Sequence, residues 1–199
     1  MPAFEVSGNV DPIVKVHLKF GETVYCESGA MVAMDEHLSL IGKSRGGFAS
    51  SLGRKMLNDE SFFQQKISAE RDEGDVLIAP VLAGDVTLLE VGPAEYLIAD
   101  GCYLANTEGV ELGSKTQGLG KMLFAKTGGG LQGFFTMHAH GHGTLAVSGF
   151  GFMRTLEVRP DNPLIIDNGH LVAWDASLKY EVALNTGHKG FFGKMVESV

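Results

Sequence analysis

The chain has 199 residues, of which 44% are hydrophobic, and its formal net charge is −8. This length and apolar content suffice for one large domain or a few small units with a buried core, and the acidic balance argues against nucleic acid as a partner. Residues 76–82 form an apolar run far shorter than the roughly 20 residues of a membrane helix, and residues 1–6 lack the features of a signal peptide, so we expect a cytoplasmic protein.

The first predicted elements are strands in which apolar and polar residues alternate. The pattern occurs at residues 14–20 and returns at 87–91 and 155–158. Alternation with a period of two is typical of half-buried strands. A turn follows each stretch, built on Gly21-Glu22, Gly92-Pro93 and Arg159-Pro160. Each of the three regions is therefore predicted to begin as a small meander.

A short motif then appears three times. Its copies are Glu27-Ser28-Gly29 with Met31-Val32-Ala33, Asp100-Gly101 with Tyr103-Leu104-Ala105, and Asp167-Asn168-Gly169 with Leu171-Val172-Ala173. The glycines, here called the anchor glycines, are 72 and 68 residues apart. Recurrence at a nearly fixed period predicts an internal repeat, with units at residues 3–85, 86–153 and 154–199.

Later parts of the unit are predicted to be strands as well. An aromatic pair recurs as Phe62-Phe63, Phe134-Phe135 and Phe191-Phe192, and the first two units continue to apolar stretches at 76–79 and 144–147. The third unit ends at Val199, so it is short of a closing hairpin, and we expect either a truncated chain or a strand supplied by a neighbouring chain. Helix signals are confined to residues 52–57 and 121–126. The sequence predicts an all-β fold of three tandem β-sandwich or short double-stranded β-helix repeats.

Basic residues are concentrated in three stretches that hold no acidic residue. Residues 42–58, 113–137 and 185–196 carry nine of the 16 basic side chains, namely Lys43, Arg45, Arg54, Lys55, Lys115, Lys121, Lys126, Lys189 and Lys194. If the units pack in register, these loops form a basic, partly apolar rim suited to an anionic membrane surface or to acidic partners. The alternative is that the lysines solvate the tips of β-hairpins.

Three histidines are the strongest catalytic-looking feature. His138, His140 and His142 alternate along one predicted strand, which would place their imidazoles on one face for metal binding. No carboxylate occurs between Gly113 and Arg154 to complete such a site, so exposed or interface histidines are the alternative. No motif places a nucleophile beside a base, and no cofactor is expected. The two cysteines, Cys26 and Cys102, occupy different places in their units, which favours reduced thiols.

The motifs together resemble the altered-inheritance-of-mitochondria family, number twenty-four. The resemblance rests on residues 27–34 and 167–175 and on the basic Gly-rich loops before Phe-Phe. It implies a triplicated β fold related to the tryptophan-RNA-binding attenuator protein, in which three chains form a ring of nine units, and a mitochondrial link to the inner membrane. We therefore expect a non-enzymatic, ring-forming scaffold or interaction protein, located in the cytoplasm or peripheral to the membrane. The alternatives are a cupin-like metalloprotein using the three histidines and a small-ligand site between units.

Overall fold

The chain forms strands almost throughout the part that the structure, a computed structural model, describes: residues 1–44, 63–114, 136–185 and 190–196. The first strands are β1 (Ala3–Ser7), β2 (Ile13–Leu18), β3 (Thr23–Glu27), β4 (Met31–Met34), β5 (Ser39–Ser44), β6 (Phe63–Ser68) and β7 (Gly74–Ile78). The middle strands are β8 (Gly84–Val91), β9 (Tyr96–Ala99), β10 (Tyr103–Thr107), β11 (Val110–Ser114), β12 (Thr136–Gly141) and β13 (Gly143–Phe150). The last are β14 (Leu164–Asp167), β15 (Ala173–Asp175), β16 (Lys179–Asn185) and β17 (Gly190–Val196).

Helical structure in the described ranges is limited to one 3₁₀ turn, Asn168–His170. The predicted all-β class is therefore confirmed. The two predicted short helices, at 52–57 and 121–126, lie outside the described residues.

Strands pair into four antiparallel sheets. The strand orders are β1-β2-β7-β4, β5-β6-β3-β10-β13-β8, β11-β12-β9-β15 and β14-β17-β16. Two ladders join parts of the chain that are distant in sequence: β3 pairs with β10, and β9 pairs with β15. These two ladders, here called the internal joints, bind the first third of the chain to the middle and the middle to the last part.

Alternating side chains explain why these segments become strands. In β2, Val14, Val16 and Leu18 are fully buried while the residues between them are half-buried. Strand β7 repeats the pattern beside it, with Val76 and Ile78 buried. Burying such a side chain stabilises the fold by about 1.5–3 kcal/mol, which fixes the register because a one-residue slip would expose the whole set.

The buried residues form three clusters. The first packs Val14, Val16 and Ile67 with Leu104 and Ala146, so it spans the first two sheets. The second is centred on β9, β10 and β13. The third, behind β9 and β15, contains Leu97 and Trp174, and Trp174 meets Tyr180 edge to face with ring centroids 5.7 Å apart.

The anchor glycines lie at the turn before the third strand of each predicted unit, but only two of these turns are alike. Gly29 and Gly101 have φ of 89° and 71°, a left-handed conformation that side chains disfavour. Gly169 instead lies inside the 3₁₀ turn, where its N–H donates to the Asp167 carboxylate at 3.0 Å. The third turn is therefore built differently, with the Asp167 side chain capping it.

One predicted strand is wrong. Residues 155–158 have no strand structure, and Leu156 is exposed. The corresponding stretches, β2 and β8, are each held by a long antiparallel neighbour, β7 or β13. Within the described ranges residues 155–158 have no such neighbour, and an extended segment without a partner strand gains too little to form one.

Candidate functional site

The predicted basic rim falls largely outside the described residues. Arg45, Arg54, Lys55, Lys115, Lys121, Lys126 and Lys189 all lie there. Lys43 belongs to β5 and is paired in register with Gln64, and Lys194 belongs to the central strand of the β14-β17-β16 sheet. Whether the nine cations share one side of the molecule therefore stays a prediction.

The histidine strand brings together two of its three imidazoles. His138 and His140 lie in β12, with ring centroids 5.2 Å apart, and His138 Nε2 lies 2.7 Å from the carboxylate of Glu95. Strand β12 ends at Gly141, whose φ of 95° breaks the alternation, and His142 lies instead in a small pocket beside Glu22 and Thr107. The expectation that all three histidines share a face is wrong for this reason.

These groups fall short of a three-ligand metal cluster. Across the described ranges, no three His, Cys, Asp or Glu side chains are arranged to hold a metal ion. Glu95 was missed at the sequence level because it lies 43 residues before His138 and reaches it only through the β9–β12 ladder. The contact is a partly exposed pair of a kind that contributes little to stability.

A large cleft of about 1070 Å³ lies between the middle and last parts of the chain. One wall comes from β8, β13 and residues 80–82, and the other from residues 152–158 and 166–178. Most side chains that line it are apolar, and Phe150, Phe152 and Leu156 are exposed there. No sequence pattern predicts this cleft, because it depends on residues 155–158 lacking the predicted strand structure.

Charged groups of both signs stand at the cleft. Glu27 and Asp100 line it together with Arg154 and His170. Burial, and then the negative charge of Asp100, raises the pKa of Glu27 above the ordinary value of 4.5. The lining therefore has no strong preference for an anion or a cation.

The two thiols are free and unsuited to nucleophilic chemistry. Burial raises the pKa of Cys26 to about 12 and, followed by the charges of Asp100 and Glu27, that of Cys102 to about 11. The thiolate is the reactive form, so both cysteines are inert near neutral pH. The expected reduced thiols agree with this structure.

A buried polar network crosses the first internal joint. Tyr103 Oη donates to Asn106 Oδ1 at 2.6 Å and accepts from Gln64 Nε2 at 2.7 Å. The Asn106 amide donates to the carbonyl oxygens of Thr107 and Val110. All three network side chains are buried. Such a network is costly when incomplete, so it favours one arrangement of β6 against β10.

Two strands at sheet edges expose apolar side chains. β4 is the last strand of the first sheet, and its Val32 is 54% exposed. β14 is the first strand of the fourth sheet, and its Ile165 is 71% exposed. Edge strands of this kind are templates for pairing with another chain.

Comparison with known proteins gives a consistent match. The sequence profile of a family described as "Mitochondrial biogenesis AIM24" matches residues 4–197. The uncharacterized protein M6_Spy0233 of Streptococcus pyogenes serotype M6 is 32% identical over 182 residues, covering 88% of this chain and 71% of the relative. The crystal structure of protein SPYM3_0169 from Streptococcus pyogenes superposes with a TM-score of 0.79 at 26% identity, covering 99% of this chain and 90% of that one. In the described part of the chain, no helix has the length and apolar content to cross a bilayer.

Proposed function

This chain belongs to the mitochondrial biogenesis AIM24 family, and from that premise we propose that it is a non-enzymatic scaffold whose three tandem units, residues 3–85, 86–153 and 154–199, continue from chain to chain in a closed ring. The unit is a pair of β-sheets similar to that of the tryptophan-RNA-binding attenuator protein. The inert thiols and the lack of a metal cluster among the described residues fit a role in binding rather than catalysis.

The registers of the two internal joints support the repeat. In the first joint Ala105 lies opposite Cys26, and in the second Ala173 lies opposite Ile98. Each pair joins the fourth residue after one anchor glycine to the third residue before the preceding one. Strand orders agree as well: β3-β6-β5, β9-β12-β11 and β14-β17-β16 each run from the strand before the anchor glycine to the third and then the second strand after it.

The same register applied between two copies pairs the open edges. It places Ala33 of β4 opposite Ile166 of β14 in a neighbouring copy. Ile165 then takes the position that Leu97 has inside the chain, and Leu97 is 1% exposed. Because β4 and β14 are different surfaces, the contact is head to tail, and such contacts produce rings or filaments. The observation that carries the proposal is that the two exposed edge strands, β4 and β14, fit the register of the internal joints. The family resemblance favours three chains.

The native mass tests the ring. We expect light scattering after gel filtration to give three times 21.3 kDa for the parent and 21.3 kDa for Ile165→Asp, because a charge at a joint centre has no partner there. Phe20→Asp is the matched control, since Phe20 is 70% exposed in a turn that belongs to neither β4 nor β14. A parent that runs as a monomer, or a trimer that survives Ile165→Asp, contradicts the proposal.

We propose further that the scaffold acts in the cytoplasm at an anionic membrane surface or on acidic protein partners, through the nine cations of the three stretches that hold no acidic residue. Their segregation from acidic residues in the sequence supports this. Flotation with liposomes containing anionic lipid compares the parent with a variant in which Lys43, Arg45, Arg54 and Lys55 become Ser. A matched variant changes to Ser four exposed basic residues that lie outside the three stretches without acidic residues, namely Lys19, Arg71, Arg159 and Lys179. Equal flotation of all three proteins, or none, rejects the membrane role.

A further inference from the structure

The second and third sheets contain corresponding strands, but the third sheet has fewer strands than the second. Beyond β10, the second sheet continues through β13 and β8, whereas the third sheet ends at β15 in the residues that the structure describes. In the first sheet, β4 pairs with the antiparallel strand β7, as β10 pairs with β13 in the second sheet. Strands β4 and β10, which occupy the same place in their units, are thus each covered by an apolar strand, and the described chain provides none for β15.

The cleft lies at this position. Leu171 and Ala173, which lead into and begin β15, line the cleft, and so do Leu156 and Val158 of the unpaired segment. In the complete middle unit, Leu89 of β8 lies opposite Leu145 of β13. Leu156 corresponds to Leu89 in the repeat, so the cleft separates two elements that elsewhere lie on either side of a strand.

We propose that this cleft, here called the acceptor cleft, binds an extended apolar β-strand of a second polypeptide, inserted antiparallel to β15 and between it and residues 155–158. The inference rests on the repeat proposed above but not on the ring, which uses β4 and β14. Adding a strand to a sheet edge is a common mode of peptide recognition, in which main-chain hydrogen bonds give affinity and alternate side-chain pockets give specificity.

The register of the bound strand follows from the two filled positions. Ala33 lies opposite Leu77, and Ala105 opposite Ala146, so Ala173 would face the central residue of the incoming strand. Just beyond this pairing, the amide of Ala79 donates to the Ala30 carbonyl at 2.9 Å. The amide of Ser148 donates in the same way to the Cys102 carbonyl, at 2.8 Å. The corresponding acceptor at the third position is the carbonyl of His170.

The two strands that fill the corresponding positions, β7 and β13, also indicate the chemistry of the bound strand. The strands that fill the two complete positions read Val76-Leu77-Ile78 and Leu145-Ala146-Val147, with no charge. The cleft lining is mainly apolar and includes both an acidic group, Glu27, and a basic group, Arg154, which matches an uncharged strand. A free acyl chain would also suit the apolar wall, but it brings no amide to the edge of a sheet and would not make residues 155–158 a strand.

A peptide copied from this chain provides the probe. Fluorescently labelled Gly-Thr-Leu-Ala-Val-Ser-Gly, the sequence of residues 143–149, is titrated with the full chain, beside a control peptide with Asp at the positions of Leu145 and Val147. We expect the control peptide, and the protein variant Leu156→Asp, to weaken binding by about tenfold or more, since each replaces buried apolar contacts with a charge. Phe20→Asp and Ile165→Asp should leave the affinity unchanged.

Hydrogen exchange supplies a readout that a general apolar contact would not give. We expect the amides of residues 155–158 to become protected when the peptide is added, because they gain a partner strand. Equal binding of both peptides, or no new protection at 155–158, overturns the proposal. Displacement studies with a fluorescent fatty acid complete the test: saturable fatty-acid binding without peptide binding would assign the cleft to lipid. The assembly mass and the peptide affinity of Ile165→Asp are measured together. If the mass changes while the peptide binds normally, the peptide site is independent of the ring contact.

Discussion

The internal joints and the open edges occupy the same positions of the proposed repeat, yet one set is buried and the other is exposed. Leu104 in β10 is fully buried, whereas Val32, at the corresponding place in β4, is 54% exposed. Leu97 in β9 is 1% exposed, whereas Ile165, at the corresponding place in β14, is 71% exposed. Apolar character is thus retained at both places, although only the joints within the chain have a neighbouring strand to cover it. This difference supports the proposal that the open edges are covered by another copy.

The largest effect is expected from truncation at a joint. In an Ile165→Asp background, which the ring proposal expects to be monomeric, Leu104→Ala should lower the free energy of unfolding by about 2–5 kcal/mol because it leaves a cavity in the first cluster. The matched change Val32→Ala should cost less than about 1 kcal/mol in the same background. Urea unfolding measures both. Equal costs would mean that the two positions are not counterparts.

The buried network at the first joint should give the next largest effect. Tyr103→Phe removes the hydroxyl that links Gln64 to Asn106, so it should cost about 1–3 kcal/mol of unfolding free energy through unsatisfied buried groups. Thermal unfolding monitored by circular dichroism checks this. An unchanged midpoint would show that the network does not hold the joint in place.

A smaller, pH-dependent effect is expected at Glu27. Its pKa is raised on folding, so the folded state holds the proton more tightly, and the resulting stability is lost as pH rises through the folded pKa. Glu27→Gln should therefore be more stable than the parent at neutral pH, with the difference disappearing below pH 4.5.

Asp75 provides the control of opposite sign. Hydrogen bonds from Lys15 and then from His17 lower its pKa, although burial acts the other way. Asp75→Asn should lose stability at neutral pH, and the loss should vanish as pH falls through the folded pKa. Unfolding midpoints from pH 3 to pH 8 compare the two variants. The same direction of change in both would contradict the burial argument for Glu27.

The smallest effect is expected at the histidine pair. Replacing His138 and His140 with Gln removes a partly exposed contact to Glu95 and should change unfolding free energy by less than about 1 kcal/mol. Elemental analysis of protein purified without a histidine tag should give the same low metal content before and after. A stoichiometric metal that is lost in the variant would support the cupin-like alternative instead.

The sequence predicts the strands well where a partner strand is present and fails where one is absent. Alternation in residues 14–20 and 87–91 corresponds to β2 and β8, because β7 and β13 lie beside them. The same alternation in residues 155–158 does not produce a strand. Periodicity reports which face a strand could bury, and it carries no information on whether a neighbour exists.

Site features that depend on distant contacts were beyond sequence reasoning. The contact of His138 with Glu95 and the network of Gln64 with Tyr103 each join residues from different strands. The acceptor cleft arises from a missing neighbour, which no local pattern encodes. By contrast, the absence of a disulfide between the two cysteines was predicted from their different places in the proposed repeat.

A cysteine crosslink between copies tests the central claim most directly. The joint register places residue 33 of one copy beside residue 166 of the next, within the Cα separation that a disulfide allows in paired strands. Mild oxidation of Ala33→Cys/Ile166→Cys should therefore give covalent dimers and trimers on a non-reducing gel. The native thiols, with pKa values of about 12 and about 11, should add little background. Crosslinking no stronger than in Ala33→Cys/Phe20→Cys would contradict the head-to-tail ring.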